Sequence, residues 1–388
     1  MKKGLLPAIS LLAVFFGCFS EPKENRLDSV YLDFGKSTPI KASEIFSEAY
    51  YLLLEEDITL PLVRPYKTVV QDSIIFVEDK ELNNLFVFDN SGKIRTILKS
   101  AGVGPNEFIQ IDEFSVSENK IYIQDDYLKK TLVFDFKGQL IEEKYHTYFG
   151  FNKFYWLGYE LTYFDDYSQH GTDFHVLKNG ELLISFDIGR TDKGLPPVSH
   201  QYGFVPDFSR NLVSFVAPYS YKVAFFNLED FSQKYVSFDF GKFNFPKEEH
   251  INFLKDQWNN REAFVQNKYV SMLGYFGPLK KDYILSVSHG LGDPHWFILD
   301  KNFHVKRQFR IKDMENDLDG WILNSAIAWT IDDFVVLKIN SNEFYNSVQK
   351  ALDSGKTIDG NLKEFWDEQN EELLDDRLVL IFLKLKGE

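Results

Sequence analysis

A fixed 46-residue echo constrains this chain more than any single motif does. Ile75-Phe76-Val77-Glu78-Asp79, followed by Leu85-Phe86-Val87-Phe88-Asp89 and Gly92, recurs without a gap as Ile121-Tyr122-Ile123-Gln124-Asp125, then Thr131-Leu132-Val133-Phe134-Asp135 and Gly138. A third copy lies three periods on, at Phe226-Asn227. Each copy is a set of short, largely apolar runs separated by turn residues, which is a strand pattern. Such a unit cannot bury its apolar faces alone, so the copies must pack on one another.

Strands in units of roughly 40 to 50 residues read as the four-stranded blades of a propeller. Composition agrees: 38 Phe and 20 Tyr against 3 Met favour pleated, half-buried surfaces, and a chain of 388 residues that is 44% hydrophobic can build a large core. The expected fold is all-β, a six-bladed β-propeller with four-stranded antiparallel blades. In the best copy Glu113 to Ser117 is the inner strand, Ile121 to Gln124 the second, Thr131 to Phe136 the third and Leu140 to Tyr145 the outer one. The third-strand landmark recurs at Phe88, Phe134, Leu177, Phe226 and Leu299, the last interval being lengthened by the segment Phe243 to Tyr269. A sixth unit has strands at Asp333 to Ile339 and Leu378 to Lys384 and ends one strand short. Ala49 to Leu54 supplies the missing outer strand, so the N- and C-terminal strands close the ring and hide its edges. Six blades is the economical count; a seventh would require a degenerate unit within Ile311 to Ile331.

The amino terminus addresses the chain. Lys2-Lys3 forms a positive region, Leu5 to Phe16 an apolar one, and Gly17 precedes Cys18, the single cysteine. About a dozen apolar residues are too few to cross a bilayer, which takes about 20. This stretch resembles a bacterial lipoprotein signal. The resemblance implies that Cys18 is the lipidation site and first mature residue, that residues 1–17 are a signal peptide, and that residues 18–44 are a lipid-attached tether and lead-in. Residues 45–388 then form a single propeller domain. The expected location is the cell envelope, as an outer-membrane lipoprotein facing the periplasm or the medium. Net charge is −15, which repels phosphate backbones and argues against nucleic-acid binding.

Gly102-Val103-Gly104-Pro105-Asn106-Glu107-Phe108, with Ile121-Tyr122-Ile123, Asp125, Val133-Phe134-Asp135 and Gly138, resembles one NHL-type repeat, and the chain resembles the six-bladed propeller lipoproteins of Bacteroidetes. That resemblance supports a fold rather than an activity, because propellers host enzymes, binders and scaffolds alike.

In a propeller the loops from second to third strand, and from outer strand to the next inner strand, open on one side of the disc. The long and irregular segments of this chain all fall there: Gly102 to Phe108, Asp192 to Phe204, Phe243 to Tyr269, Asp125 to Lys129, Asp165 to Gly171, His289 to His295 and Asn340 to Arg377. Two of them carry helical spacing, Ile251, Leu254 and Trp258 in one and Leu362, Phe365, Trp366 and Leu373 in the other, and are expected to be helical insertions. Function concentrates on elaborated loops held by a rigid scaffold, so this face is the candidate site.

Its candidate ligand-binding residues are Asp79, Glu107, Asp125, Asp126, His170, His200, Tyr202, Trp258, His289, Asp293, His295 and Trp366. Aromatic rings would stack on a sugar or peptide and the acids would orient it. His289, Asp293 and His295 are chemically able to bind zinc, and the carboxylates calcium, but the spacing fits no established signature, so no metal or other cofactor is expected. Asp79 and Asp125 stand at equivalent repeat positions, which also fits a turn role. Gly102-x-Gly104 reads as a turn that needs unusual backbone angles rather than a phosphate loop. With no nucleophile motif and no second thiol, no catalytic residue is assigned. The expected function is therefore non-enzymatic binding of a glycan, a peptide or a partner protein. The alternative is a lyase or hydrolase on the same face, with His289, His295 and Glu107 near the chemistry.

Overall fold

The computed structural model describes residues 29–387 except 34, 36–38, 165–170, 189–200, 219, 247–248, 250–251, 253–268, 290–293 and 319–326. Cys18, His170, His200, Trp258 and Asp293 lie outside the described residues, as does most of the helical insertion expected around Trp258.

Six four-stranded antiparallel sheets follow one another around a central axis. In inner-to-outer order, blade 1 is Pro65–Gln71, Ile74–Asp79, Asn84–Phe88 and Ile94–Leu98. Blade 2 is Glu113–Ser117, Lys120–Asp125, Lys130–Asp135 and Leu140–Tyr145. Blade 3 is Asn152–Trp156, Tyr159–Tyr163, Phe174–Lys178 and Glu181–Phe186. Blade 4 is Phe204–Asp207, Leu212–Val216, Lys222–Asn227 and Gln233–Asp239. Blade 5 is Val270–Pro278, Asp282–His289, His295–Asp300 and Val305–Arg310.

Blade 6 combines both ends of the chain. Ile327–Ile331, Phe334–Asn340 and Leu378–Leu385 come from the C-terminal part, and Phe46–Leu53 pairs with the last of them as the outer strand. The ring therefore closes through backbone hydrogen bonds, and Ile327–Ile331 is the inner strand of the sixth blade rather than a seventh unit.

Two features cover strand edges. Val30–Tyr31 adds a short parallel strand outside Gln233–Asp239 of blade 4. Over blade 6, the helix Ser341–Asp353 starts with the Asn340 side chain accepting the Asn342 N–H at 2.9 Å. It buries Phe344 and Val348, four residues apart on one face. The helix Gly360–Gln369 buries Leu362 and Phe365, and Tyr51 of the outer strand stacks on Phe365 at 5.7 Å. Among the described residues no helix is long and apolar enough to cross a membrane.

Hairpins on the turn-rich face use left-handed residues, as two-residue turns require. Glu118 and Asn119 in blade 2, and Asn179 with Gly180 in blade 3, all have positive φ.

Candidate functional site

The repeat sets how side chains alternate. In each strand one parity faces the preceding blade and the other the following blade, so every blade-to-blade interface is built from two such sets. Interfaces 1/2, 5/6 and 6/1 share one large apolar core, and 4/5 and 3/4 have cores of their own. Between blades 2 and 3 the cluster of buried apolar side chains among the described residues is Tyr122, Val133 and Tyr155. Blade 2 otherwise turns Ser115, Ser117, Gln124 and Thr131 to this seam, and blade 3 turns Lys153, Glu160, Thr162 and His175 to it; all eight are buried.

Burying so many polar groups is costly unless they bond to one another. Here most do. Tyr122 and Tyr155 stack at 4.4 Å, and Tyr155 Oη lies 3.0 Å from Thr131 Oγ1, which is also 2.7 Å from His146 Nε2. Tyr148 and Thr162 donate to Glu160 Oε1 at 2.8 and 2.7 Å. Gln124 Nε2 donates to Asp126 Oδ1 and to the Gly150 carbonyl. The Lys153 ammonium lies 3.8 Å from Glu160 and over the Tyr148 ring at 5.0 Å, and makes no hydrogen bond among the described residues.

Burial sets the ionisation of this network. It pushes the Asp126 carboxyl up to about 7, with Asp112 and Asp125 adding to the rise against the Gln124 hydrogen bond and Lys153. It pushes His146 down to about 4, leaving the imidazole neutral, and lowers Lys153 while raising Tyr148 and Tyr155. Where the seam meets solvent, a cavity of about 420 Å³ opens between the blades, lined by Asp126, Lys129, Tyr148, Phe149, Phe164 and His175 toward the elaborated loops and by Leu177, Gly180 and Leu182 toward the opposite face. At its inner end the seam continues to the inner strands, where Glu113 accepts from Asn152 of blade 3 and from Lys67 of blade 1.

Among the described residues Asp126 is the sequence-derived candidate that lines this cavity. Asp79 accepts from the backbone N–H groups of Val63, Glu81 and Leu82, and Asp125 from those of Ile109 and Leu128, so both buried carboxylates fasten loops. Glu107 accepts the Gly104 N–H at 3.0 Å. The reading of Gly102-x-Gly104 is corrected here: the left-handed residue of that loop is Asn106, with φ of 63°. A Cβ on Gly102 or Gly104 would instead come within 2.6 or 2.9 Å of Glu107 Oε2, so the glycines make room for that carboxylate. Tyr202 donates to the Ile327 carbonyl of blade 6 at 2.7 Å and packs against the edge of Tyr275 of blade 5. Trp366 stacks on Tyr345 between the two helices over blade 6. His289 ends the second strand of blade 5, and His295, buried, starts the third beside Phe297. Among the described residues no three His, Cys, Asp or Glu side chains are grouped to hold a metal ion.

The opposite face also has hollows. One of about 540 Å³ lies among the inner-strand ends around Gln71, Asp207, Lys280 and Trp329. Another of about 320 Å³ lies between blades 6 and 1 beside Tyr50 and Phe334. The seam brings several strongly shifted ionisable groups together, and perturbed groups in a cleft mark functional sites.

Sequence reasoning passed over Lys153, Glu160, Tyr148 and His175. The signal was present in the repeat itself: where blade 1 has Phe76 and Leu85, blade 2 has Tyr122 and Thr131 at the same positions.

Residues 20–338 match a family model, DUF5128, described as a 6-bladed beta-propeller. A Bacteroides fragilis protein named as exported has a solved structure that superposes with a TM-score of 0.71 at 18% identity, covering 92% of this chain and 99% of that one. A Bacteroides vulgatus member of the duf4221 family superposes at 0.46 with 10% identity, over 88% of this chain and 97% of that one. No curated protein matches the sequence.

Proposed function

The chain belongs to that family of six-bladed β-propellers, and from this premise we propose that it is an exported, lipid-anchored protein that binds a ligand at the outer end of the seam between blades 2 and 3. The observation that carries the reading is the cavity of about 420 Å³, where three aromatic side chains, a carboxyl held near neutrality and a histidine converge beside an interface kept polar at the expense of core. Rings give broad contact with a sugar or peptide, and the polar groups orient it. The lipoprotein-type signal at Lys2-Lys3, Leu5 to Phe16 and Cys18 supports an extracytoplasmic, outer-membrane placement, and the exported name of the Bacteroides fragilis neighbour agrees with the extracytoplasmic part. The same arrangement supports a second reading: Asp126, held near pH 7 beside His175 and Tyr148, suits general acid–base work in a lyase or hydrolase.

Native mass spectrometry of the full chain against glycan and peptide panels tests both. Binding predicts a retained ligand of unchanged mass, lost in Phe164→Leu, and membrane release on Cys18→Ala. Cleaved ligand selects the enzymatic reading, and no retention by any panel member overturns the assignment of this site.

A further inference from the structure

We propose that the pocket between blades 2 and 3 takes a primary ammonium group, with Asp126 as its counter-ion and Tyr148, Phe149 and Phe164 as its aromatic walls. This rests on the binding reading above and narrows it to one chemical class.

The walls come first. Tyr148 and Phe164 lie 5.8 Å apart at 50°, and Phe149 is 47% exposed at the mouth, edge-on to Phe151. Ring faces attract cations and gain nothing from anions. The network already uses this attraction once, with the Lys153 ammonium over the Tyr148 ring.

Charge points the same way. Asp126 is faced by Asp112, whose carboxylate accepts the Asp126 N–H at 2.7 Å, and by Asp125 at the end of the preceding strand, while Glu160 approaches the same Lys153 ammonium from blade 3. Lys153 is the buried positive group opposing them, while Lys129 is exposed at the rim, where water screens it. His146 is held neutral, and His175 bonds to Thr172. An anionic guest would add to a surplus of carboxylates, and a neutral one would leave the Asp126 carboxyl raised by burial as it is in the empty pocket. An ammonium guest restores that carboxylate to its charged form. The same R–NH₃⁺ chemistry is offered by a free amine, an amino sugar or a lysine side chain, and a cavity of about 420 Å³ has room for any of them.

Calorimetric titration of the full chain with cadaverine, glucosamine and Nα-acetyl-lysine amide separates these sources, with N-acetylglucosamine as the uncharged control. The expected result is saturable binding of at least one amine and not of the control. Because only the ionised carboxyl pairs with an ammonium, the affinity for cadaverine and Nα-acetyl-lysine amide, whose ammonium groups stay charged throughout, should rise about tenfold between about pH 6 and about pH 8. Asp126→Asn should weaken binding about tenfold at about pH 8 and abolish the pH dependence. Phe149→Ala, at an exposed wall position, should weaken it several-fold without disturbing the fold, and serves if Asp126→Asn does not fold. The assignment is overturned by equal binding of the control, by affinity that falls as pH rises, by indifference to both substitutions, or by no amine binding. A neutral sugar or peptide that occupies the pocket when the amines do not would overturn the ammonium class and leave the binding reading standing.

Discussion

Two pairs of residues show what the ring does with a repeat. Lys67 and Glu113 stand one 46-residue period apart, at equivalent positions, and the circular arrangement brings them into a buried ion pair. Asp125 and Asp126 are adjacent in sequence, yet backbone N–H groups hold the first while burial pushes the second up to about 7 from an ordinary 3.8. That shift is a stability statement. A carboxyl raised in the folded chain favours folding most below about pH 4, and the advantage is lost as pH climbs through about 7, when the folded protein must bury a charge that the unfolded chain keeps in water. An Asn at 126 still accepts from Gln124 but never ionises. The stability of Asp126→Asn relative to the parent should therefore improve steadily between about pH 4 and about pH 7, by at most about 4 kcal/mol. Chemical denaturation at a series of pH values measures this. Improvement on acidification instead would mean that Asp126 is ionised and favourably paired in the folded state.

At the scale of elements, the closure of blade 6 decides whether there is a ring at all. Phe46–Leu53 runs antiparallel to Leu378–Leu385 along nearly its whole length, and the Arg377 guanidinium and Asn361 side chain add hydrogen bonds to the Leu54 and Ala49 carbonyls. Removing residues 1–28 leaves every one of these contacts. Removing residues 1–53 strips the outer strand, exposes a long apolar edge and uncovers the helices packed on it. The shorter truncation should stay a folded monomer and the longer one should aggregate, as read by size-exclusion chromatography and circular dichroism; a folded monomer from the longer truncation would show that closure is dispensable. These strands were legible because alternation and period reinforce each other: the inner and outer strands expected in blade 2, Glu113 to Ser117 and Leu140 to Tyr145, are those observed. Val30–Tyr31 was not, since two residues carry no period and a parallel partner leaves no turn signal. Among the described residues the site was legible only at Asp126. Searching for repeats rewards the positions at which copies agree, whereas Tyr122 and Thr131 matter because they differ from Phe76 and Leu85.

For the whole molecule the consequence is a ring with five apolar interfaces and one polar seam. Apolar contacts between blades draw stability from area removed from water, while the seam must offset the desolvation of Lys153, Glu160 and their partners with hydrogen bonds that water would have supplied anyway. Replacing a buried ionic cluster by apolar side chains of similar size is often neutral or stabilising by about 1–4 kcal/mol, provided no partner is left unpaired. Tyr148 and Thr162 both donate to Glu160, so they must change with it. The combined variant Lys153→Met, Glu160→Leu, Tyr148→Phe and Thr162→Val would make the sixth interface more apolar, while Tyr155, which also bonds to Glu160, keeps its contact with Thr131. It should unfold at a temperature a few degrees above the parent in scanning calorimetry, and it should lose ligand retention. Higher stability with lost binding is the signature of a seam kept polar for function. A marked fall in unfolding temperature would show instead that the network holds the ring together.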